Sequence, residues 1–567
     1  MQQAKTVKQF STYAATQFLR TAVFIDDRIY NPETKIVEPE NPPSKTRKPA
    51  IKSINDKNNE QPLISPEEAN ENKGFPSQQL VNSFAKKRIV CSLYQPGKKA
   101  SFSNGSDVYE LCLASDIVIV DWDLGGNPGE KALELISCLV HQSIETIPEQ
   151  LRLILVYTSE PDLGAIASEV FDKLIKLSEE NIDIEPQKED EGLSMHSSNS
   201  RVVICGKPGH RIEKYKSHEV SENELANKSI EEFSKLASGL LQGTVLLGLA
   251  KVRENSRKIL SKFDKSLDPA FLVHRAMSLP HEEACEHVHP LLVAEIQAIL
   301  QDCLSGQTIT NNVIKNWVSD HWSPTNTACQ LFSNDQNAKE FVEYFCINGE
   351  KIKEKYQPNT FAWNFVKKVI DKRGWKGSSS EDRESLRKLS NLIDINDESK
   401  SSHKFAMLMS HRTFYDNKEK SLTLGTIIRR GTIDNPEYLL CLLPSCDTVR
   451  LSEERRFVFC TLNVMNKDNS TKEKTSHIIE DEKAYKELLY SPNSYNCVTL
   501  EFSPSPETKK VMAENDNLSF ICKTDGQSYK WIAQLKPEHA QRAAEQFSSN
   551  LSRVGLTESE WLRLMSK

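Results

Sequence analysis

The sequence lacks the patterns that mark several common classes of protein. Its 13 cysteines include no CxxC pair, so no disulfide framework or structural zinc site is recognisable. No glycine-rich phosphate loop, dinucleotide fingerprint or Ser-His-Asp order is present either. The most apolar stretch, Leu236 to Val252, is interrupted by polar residues and is shorter than the roughly 20 apolar residues that a membrane span needs. We therefore expect reduced thiols and no insertion into a membrane.

Positive charge is not in excess. The chain has 72 Lys and Arg residues against 79 Asp and Glu residues, which gives a formal net charge of −7. This balance provides no basic field, so we do not expect nucleic-acid binding. The first residues contain no apolar segment followed by a cleavage site, so we expect no secretory signal and a cytoplasmic protein.

The length and the changing residue pattern predict three regions. A chain of 567 residues is longer than one hydrophobic core usually supports. Residues 1–218 alternate strand and helix patterns, residues 219–418 are helical, and residues 419–567 carry strand-like runs in a β-rich α+β domain. Two polar stretches, 31–74 and 179–200, interrupt the first region, and their composition predicts loosely ordered insertions.

Five short apolar runs in the first region predict a doubly wound α/β domain. Runs of five to seven residues rich in β-branched side chains are typical of parallel strands that are covered on both faces. Amphipathic helix patterns separate them. The predicted strands are Thr21 to Ile25, Ile89 to Leu93, Asp116 to Val120, Leu151 to Tyr157 and Arg201 to Cys205.

Four of these strands are followed by residues that can carry chemistry. The first precedes Asp26-Asp27, the third Asp121, the fourth Thr158 and the fifth Lys207-Pro208. Ligands of open α/β sheets bind outside the carboxyl ends of the strands. Clustered carboxylates repel one another unless a cation neutralises them, and Mg²⁺ prefers hard oxygen ligands of this kind. The sequence therefore predicts a Mg²⁺ site at this edge of the sheet.

This order of residues resembles the response-regulator receiver family, the phosphoacceptor domains of two-component signalling. The resemblance implies a five-stranded parallel sheet in flavodoxin-like order, with Asp121 as the phosphoryl acceptor and Lys207 and Thr158 as its catalytic partners. It also implies Mg²⁺ bound by Asp26, Asp27 and Asp121 and by the backbone carbonyl of Asp123. Ile204 departs from the family pattern, which usually has an aromatic residue three positions before the lysine.

The resemblance also implies a function in signalling. A histidine kinase or a related sensor ATPase would phosphorylate Asp121, and the regions 219–418 and 419–567 would form an output that acts on an effector protein. Large receivers of this kind resemble proteins of bacterial conflict and anti-phage loci. Two alternatives stay open: a pseudo-receiver scaffold that is not phosphorylated, and a receiver-regulated effector enzyme with an unrecognised C-terminal site. Beyond receiver chemistry we predict no enzymatic activity, and a homodimer remains open.

Overall fold

The computed structural model divides the chain into two compact units, Met1–Trp317 and Val318–Lys567. The division falls within a helix, Asn311–His321. The predicted insertion 31–74 lies outside the described residues, as do positions 181–185 and 198 of the second insertion. The structure describes residues 6–30, 76–97, 99–125, 128–145, 151–180, 186–197, 199–278, 284, 287–304, 309–322, 335–351, 355, 400–413, 420–465, 477–514, 518–551 and 563–565.

The first unit alternates strands and helices and then continues in helices. All five predicted strands are present, each shifted by at most two residues at either end. The elements are α1 Val7–Phe18, β1 Thr21–Ile25, α2 Ser77–Ala85, β2 Val90–Tyr94, α3 Asp107–Leu113, β3 Ile117–Val120, α4 Glu130–Glu145, β4 Arg152–Thr158, α5 Leu163–Glu180, β5 Gln187–Glu189, β6 Ser194–Ser197, β7 Ser200–Gly206, α6 Leu225–Leu236, α7 Leu240–Lys262, α8 Asp268–Met277, α9 Val288–Leu304 and α10 Asn311–His321.

The strands of this unit form one seven-stranded sheet in the order β2-β1-β3-β4-β7-β6-β5. The first five strands in this order pair in parallel, and this confirms the predicted doubly wound core with its flavodoxin-like order. Strands β3 and β4 are fully buried, as expected for continuous apolar runs with helices on both faces.

Two hydrophobic layers cover the two faces of the sheet. Helices α1, α2 and α6 contribute to one layer, and α3, α4 and α5 contribute to the other. Helix α1 was not predicted. Its N-cap residue Thr6 accepts a hydrogen bond from the Gln9 N–H, and its apolar side chains turn towards the sheet. Because α6 packs against β4 and β7, it takes the place of the fifth helix of the doubly wound core.

The expectation of a loosely ordered insertion at 179–200 is wrong for its described part. Strands β5 and β6 form an antiparallel hairpin that extends the sheet beyond β7. The acidic residues that suggested a linker have an internal role, because Glu189 and Asp190 form ion pairs with Arg201, which is buried on β7. Met195 of β6 is also buried in the core. Composition alone could not reveal charges that are neutralised inside the fold.

Helix α7 continues from α6 and packs along α1. The contact depends on Gly243, because a Cβ at this position would lie 2.6 Å from Cε1 of Phe10. Helix α9 packs in turn against α7. No described helix has the length and apolarity required to cross a lipid bilayer.

The second unit contains an antiparallel sheet, as predicted for the β-rich C-terminal domain. Its eight strands follow the order β11-β12-β10-β9-β8-β15-β14, and β13 pairs with β10. The sheet has a separate hydrophobic cluster on each face. The elements are α11 Asp335–Asn348, α12 Lys400–Ser410, β8 Thr426–Arg430, β9 Glu437–Cys441, β10 Arg455–Val464, β11 His477–Asp481, β12 Ala484–Tyr490, β13 Cys497–Phe502, β14 Ser519–Ile521, β15 Ser528–Gln534 and α13 Pro537–Leu551.

Candidate functional site

The carboxyl ends of β1, β3, β4 and β7 lie side by side at one edge of the sheet. The pairing register places Ile25 beside Val120, Val120 beside Val156, and Thr158 beside Gly206. Each strand therefore ends at about the same level. The residues predicted from the sequence follow these ends directly, so the fold delivers them to a common edge.

Three carboxylates converge there. Asp26 and Asp121 are almost completely buried, whereas Asp27 is partly exposed. Each offers an oxygen, and these three oxygens all lie within 4.8 Å of one another. Within the described part of the chain, this is the one cluster of at least three potential metal-binding side chains. The predicted grouping of these aspartates is thus present as geometry.

Lys207 joins two of the three carboxylates. Its Nζ donates a hydrogen bond to Oδ2 of Asp26 at 2.6 Å and another to Oδ2 of Asp121 at 2.8 Å. The lysine follows the last strand of the parallel core, so its side chain extends across the ends of β4 and β3 to reach β1. Its ammonium also lies 5.6 Å from the ring centroid of Tyr157, which gives it an aromatic surface on one side.

Burial dominates the electrostatics of Asp121. Removal from water raises the pKa of Asp121 from 3.8 to about 6, even though Lys207 lowers it, and the Asp26 charge adds to the rise. Burial also raises the pKa of Asp27, against the lowering effect of Arg28. At neutral pH Asp121 is therefore mostly ionised, and burial of the ionised carboxylate lowers the stability of the folded state.

Arg28 is a second cation at the site, and the sequence analysis did not identify it. Its backbone N–H donates to Oδ1 of Asp26 at 2.8 Å. Its guanidinium lies 3.6 Å from Oδ1 of Asp27 and 3.5 Å from Oδ2 of Asp123. The side chain of Asp123 thus faces Arg28, and its Oδ1 accepts from the Gly125 N–H at 3.3 Å. The one sequence signal was position, because Arg28 directly follows the acidic pair.

Thr158 is buried at the end of β4, next to Lys207, which directly follows β7. The backbone N–H of Lys207 donates to the Thr158 carbonyl at 2.7 Å. The Thr158 hydroxyl accepts from the Glu160 N–H at 3.1 Å, which orients it at the start of the loop. The main chains that carry Thr158 and Lys207 are therefore tied directly to each other.

Trp122 fixes the backbone that follows Asp121. The backbone N–H of Trp122 donates a hydrogen bond to Oδ1 of Asp121 at 2.8 Å. The indole ring of Trp122 is almost fully buried. Gly129, with a φ of +79°, lies against the indole so closely that a Cβ there would overlap the ring. The Gly129 N–H donates to the Trp122 carbonyl at 3.1 Å. These contacts limit the rotation of the Asp121 side chain.

The donor set suits a hard divalent cation. All three clustered side chains offer carboxylate oxygens, which Mg²⁺ prefers over nitrogen or sulfur. Oδ1 of Asp27 is buried and accepts no hydrogen bond in the structure, an unusual condition for a carboxylate oxygen. A cation at this position would satisfy that oxygen. The residues present therefore fit Mg²⁺.

Three arginines on the sheet of the second unit, Arg429, Arg430 and Arg456, are paired with acidic side chains. Arg429 pairs with Asp481 at 2.7 Å, and Arg430 pairs with Glu437. Arg456 lies 3.3 Å from Glu501. Each of these three arginines thus has an acidic partner within the sheet.

Comparison with known protein families gives one finding. Residues 18–211 match the family model described as the response receiver domain. The matched segment begins at the end of α1, contains all five parallel strands and ends four residues after Lys207. No curated protein and no solved structure gives a significant match to the chain.

Proposed function

Residues 18–211 of this chain belong to the response receiver domain family, and from this premise we propose that Asp121 accepts a phosphoryl group. A receiver domain assigns the chain to two-component-type signalling in a broad sense. The observation that carries the finer proposal is the Lys207 ammonium, which lies between Asp26 and Asp121 while Asp27 completes the cluster. The residues that we propose as nucleophile, as metal ligands and as the cation for the transferred group thus lie together.

The proposed reaction is transfer of a phosphoryl group to an oxygen of the Asp121 carboxylate. With acetyl phosphate as donor, the new O–P bond forms as the P–O bond to acetate breaks, and acetate leaves as an anion without a proton transfer. With a kinase phosphohistidine, the P–N bond breaks and imidazole leaves. The nucleophile must be ionised, and a pKa of about 6 allows this at neutral pH.

The surrounding residues would stabilise the transferred group. The Lys207 ammonium would turn from Asp26 towards a phosphoryl oxygen, and the Thr158 hydroxyl would donate to another. Asp26, Asp27 and Asp121, with the backbone carbonyl of Asp123, would hold Mg²⁺, which supplies positive charge to the phosphoryl oxygens when bound. The Trp122 backbone N–H, which donates to Oδ1 of Asp121, would orient the carboxylate during the transfer.

We also propose the remaining parts of the signalling route. The phosphoryl donor would be a histidine kinase or a related sensor ATPase in the cytoplasm. The division into 1–218, 219–418 and 419–567 remains our proposal for input, helical connection and output, acting on an effector protein. A role in anti-phage defence rests on the resemblance to large receivers. Loss of phage resistance on replacing Asp121 in the native host would support it.

One observation favours the scaffold alternative. Ile204 is almost fully buried between the sheet and its covering helices, so this position offers no aromatic side chain that could change its exposure. A pseudo-receiver would keep the fold and bind a partner without accepting a phosphoryl group. Direct labelling decides between these two functions.

The test is the intact mass of the full-length chain after incubation with acetyl phosphate and Mg²⁺. We expect the mass of one added phosphoryl group in the wild type and none in Asp121→Asn. Asp172→Asn provides a matched control, because it makes the same substitution at an exposed position on α5. An unlabelled wild type that also fails to bind beryllofluoride would remove the proposal and favour the scaffold.

A further inference from the structure

Arg211 is a buried cation that the proposed reaction does not use. Its side chain is 1% exposed, although it lies in the loop after β7 and only four residues from Lys207. Its guanidinium donates to three backbone carbonyls: Nη1 to Glu160 at 2.6 Å, and Nη2 to Thr158 at 3.2 Å and to Lys207 at 2.8 Å. Two of these carbonyls belong to residues of the candidate site.

These contacts connect two separate strand ends through one rigid group. Thr158 ends β4 and Lys207 follows β7, and the planar guanidinium spans both main chains. A guanidinium holds several acceptors in a fixed geometry, which the flexible ammonium of a lysine cannot reproduce. The positions of the Thr158 hydroxyl and the Lys207 side chain relative to each other therefore depend on Arg211.

Gly206 provides the space for this arrangement. A Cβ at Gly206 would overlap the guanidinium of Arg211. The glycine is the last residue of β7 and pairs with Thr158 across the sheet. The close approach of Arg211 to the strand end is thus possible because this residue has no side chain.

On its far side, Arg211 contacts the segment that leads to α6. Its Nε forms an ion pair with Oε1 of Glu219 at 3.4 Å. The next residue, Val220, donates its N–H to the Gly206 carbonyl at 2.9 Å and accepts a hydrogen bond from the Tyr157 hydroxyl at 2.7 Å. The strand ends and the start of the α6 segment therefore belong to one bonded network.

We propose that Arg211 is a positioning residue that holds Thr158 and Lys207 in place for phosphoryl transfer and relays a change at Lys207 to Glu219 and α6. The inference rests on the proposed function, because it assigns to that site the residue that regulates it. When the Lys207 ammonium turns from Asp26 to a phosphoryl oxygen, its main chain adjusts, and the Lys207 carbonyl bonded to Arg211 moves with it. A network of packed, bonded groups responds by changing between discrete arrangements.

Four variants of the full-length chain separate positioning from relay. Arg211→Met removes the donors, Arg211→Lys keeps the charge but loses the planar fork, and Gly206→Ala displaces an unchanged arginine. Glu219→Gln removes the charge that receives the relay while leaving the three carbonyl contacts. Arg201→Met is the matched control, because Arg201 is also a buried, ion-paired arginine but lies at the opposite end of β7.

Three measurements are made on each variant: the rate of labelling by acetyl phosphate with Mg²⁺, hydrogen exchange over residues 219–236 with and without beryllofluoride, and the melting temperature. We expect Arg211→Met and Gly206→Ala to slow labelling by about tenfold or more, since small misplacements of reacting groups have effects of this size. Arg211→Lys should recover part of the rate. Glu219→Gln should label at nearly the wild-type rate but lose the exchange response.

The control defines what a purely structural role would look like. Arg201→Met should lower the melting temperature and still be labelled within about twofold of the wild-type rate. If Arg211→Met is unstable, Arg211→Lys and Gly206→Ala carry the positioning test and Glu219→Gln carries the relay test. If the labelling rate falls in proportion to the melting temperature in all variants, including Arg201→Met, the positioning role is overturned. An unchanged exchange response in Glu219→Gln would overturn the relay.

Failure of the proposed function is distinguishable from failure of this inference. A wild-type chain that takes up no phosphoryl group and binds no beryllofluoride would overturn the function, and the role of Arg211 with it. A wild type that is labelled at the same rate as Arg211→Met and Gly206→Ala would leave the function intact and overturn the positioning role alone.

Discussion

Replacing Asp121 by Asn should stabilise the first unit at neutral pH when Mg²⁺ is absent. The Asp121 carboxyl is 1% exposed, and burial raises its pKa from 3.8 to about 6. A carboxyl with a raised pKa in the folded state binds protons more tightly there than in the unfolded chain. The folded state therefore loses stability as the pH rises from about 4 to about 6. Asparagine has a similar shape and no charge to desolvate.

The magnitude follows from the size of the pKa shift. A rise from 3.8 to about 6, at about 1.4 kcal/mol per pKa unit, corresponds to about 3 kcal/mol of lost stability above pH 7. About half of this loss develops between pH 5 and pH 8. The pKa shift already includes the attraction between Asp121 and Lys207. The free energy of unfolding of Asp121→Asn should therefore exceed that of the wild type by up to this amount at pH 8 and by less at pH 5.

The assay is urea unfolding of the full-length chain in EDTA at pH 5 and pH 8. The transition of the first unit is identified as the one that Mg²⁺ shifts in the wild type. Asp172→Asn, at an exposed position on α5, is the matched control and should follow the wild type at both pH values. Mg²⁺ should stabilise the wild type more than Asp121→Asn. Parallel pH profiles for Asp121→Asn and the wild type would show that desolvation of Asp121 does not determine its pKa.

Three further predictions concern the metal site and the second unit. Asp27→Ala should weaken Mg²⁺ binding, measured by calorimetry. Loss of a residue that only supports a metal ligand lowers the affinity by roughly tenfold, so loss of a ligand should lower it by at least as much. An unchanged affinity would exclude Asp27 as a ligand. Arg429→Met should destabilise the second unit by about 3 kcal/mol in urea unfolding, because it leaves the buried Asp481 without its ion pair. A change below about 1 kcal/mol would refute this reasoning. Burial lowers the pKa of His411 to about 4 and that of His477 to about 3. The second unit should therefore lose stability as the pH falls from about 6.5 to about 4. His477→Gln should reduce that loss, and an equal loss in the variant would contradict the assignment.

The parallel core could be predicted because its signals are local. Strands such as Ile117–Val120 are continuous β-branched runs, which are typical of parallel strands covered on both faces. The order of the reactive residues added information, since Asp26, Asp121 and Lys207 each follow a strand directly. Parallel strands place such residues at a common edge, so their convergence followed from the topology alone.

The missed features depend on contacts between distant parts of the chain. The hairpin of Gln187–Glu189 and Ser194–Ser197 has a polar sequence. Arg201 forms ion pairs with its acidic residues, and the neighbouring strand β7 forms backbone hydrogen bonds with Ser194–Ser197. Strands β11 and β12 also carry a weak local signal, since their sequences HIIED and AYKELLY mix apolar and charged residues. Arg211 carries no motif, and its importance comes from three carbonyls that folding brings to its side chain.

Two buried charge clusters among the described residues of the first unit, one around Glu232 and one at the candidate site, differ in their electrostatics. Burial raises the pKa of Glu232, but Lys228, Lys235 and Arg201 outweigh it, so the pKa is lowered and the carboxylate is fully compensated. At the candidate site the balance is the opposite, because the pKa of Asp121 is raised and Oδ1 of Asp27 has no hydrogen-bond partner.

A cluster that served only the fold would be expected to resemble the one around Glu232, because uncompensated buried charge lowers stability. The candidate site bears that cost although uncharged residues at the same positions would remove it. Natural proteins retain such costs where a site must bind or react. The incomplete compensation of Asp27 and Asp121 therefore supports the proposed cation site over a charge cluster that serves the fold alone.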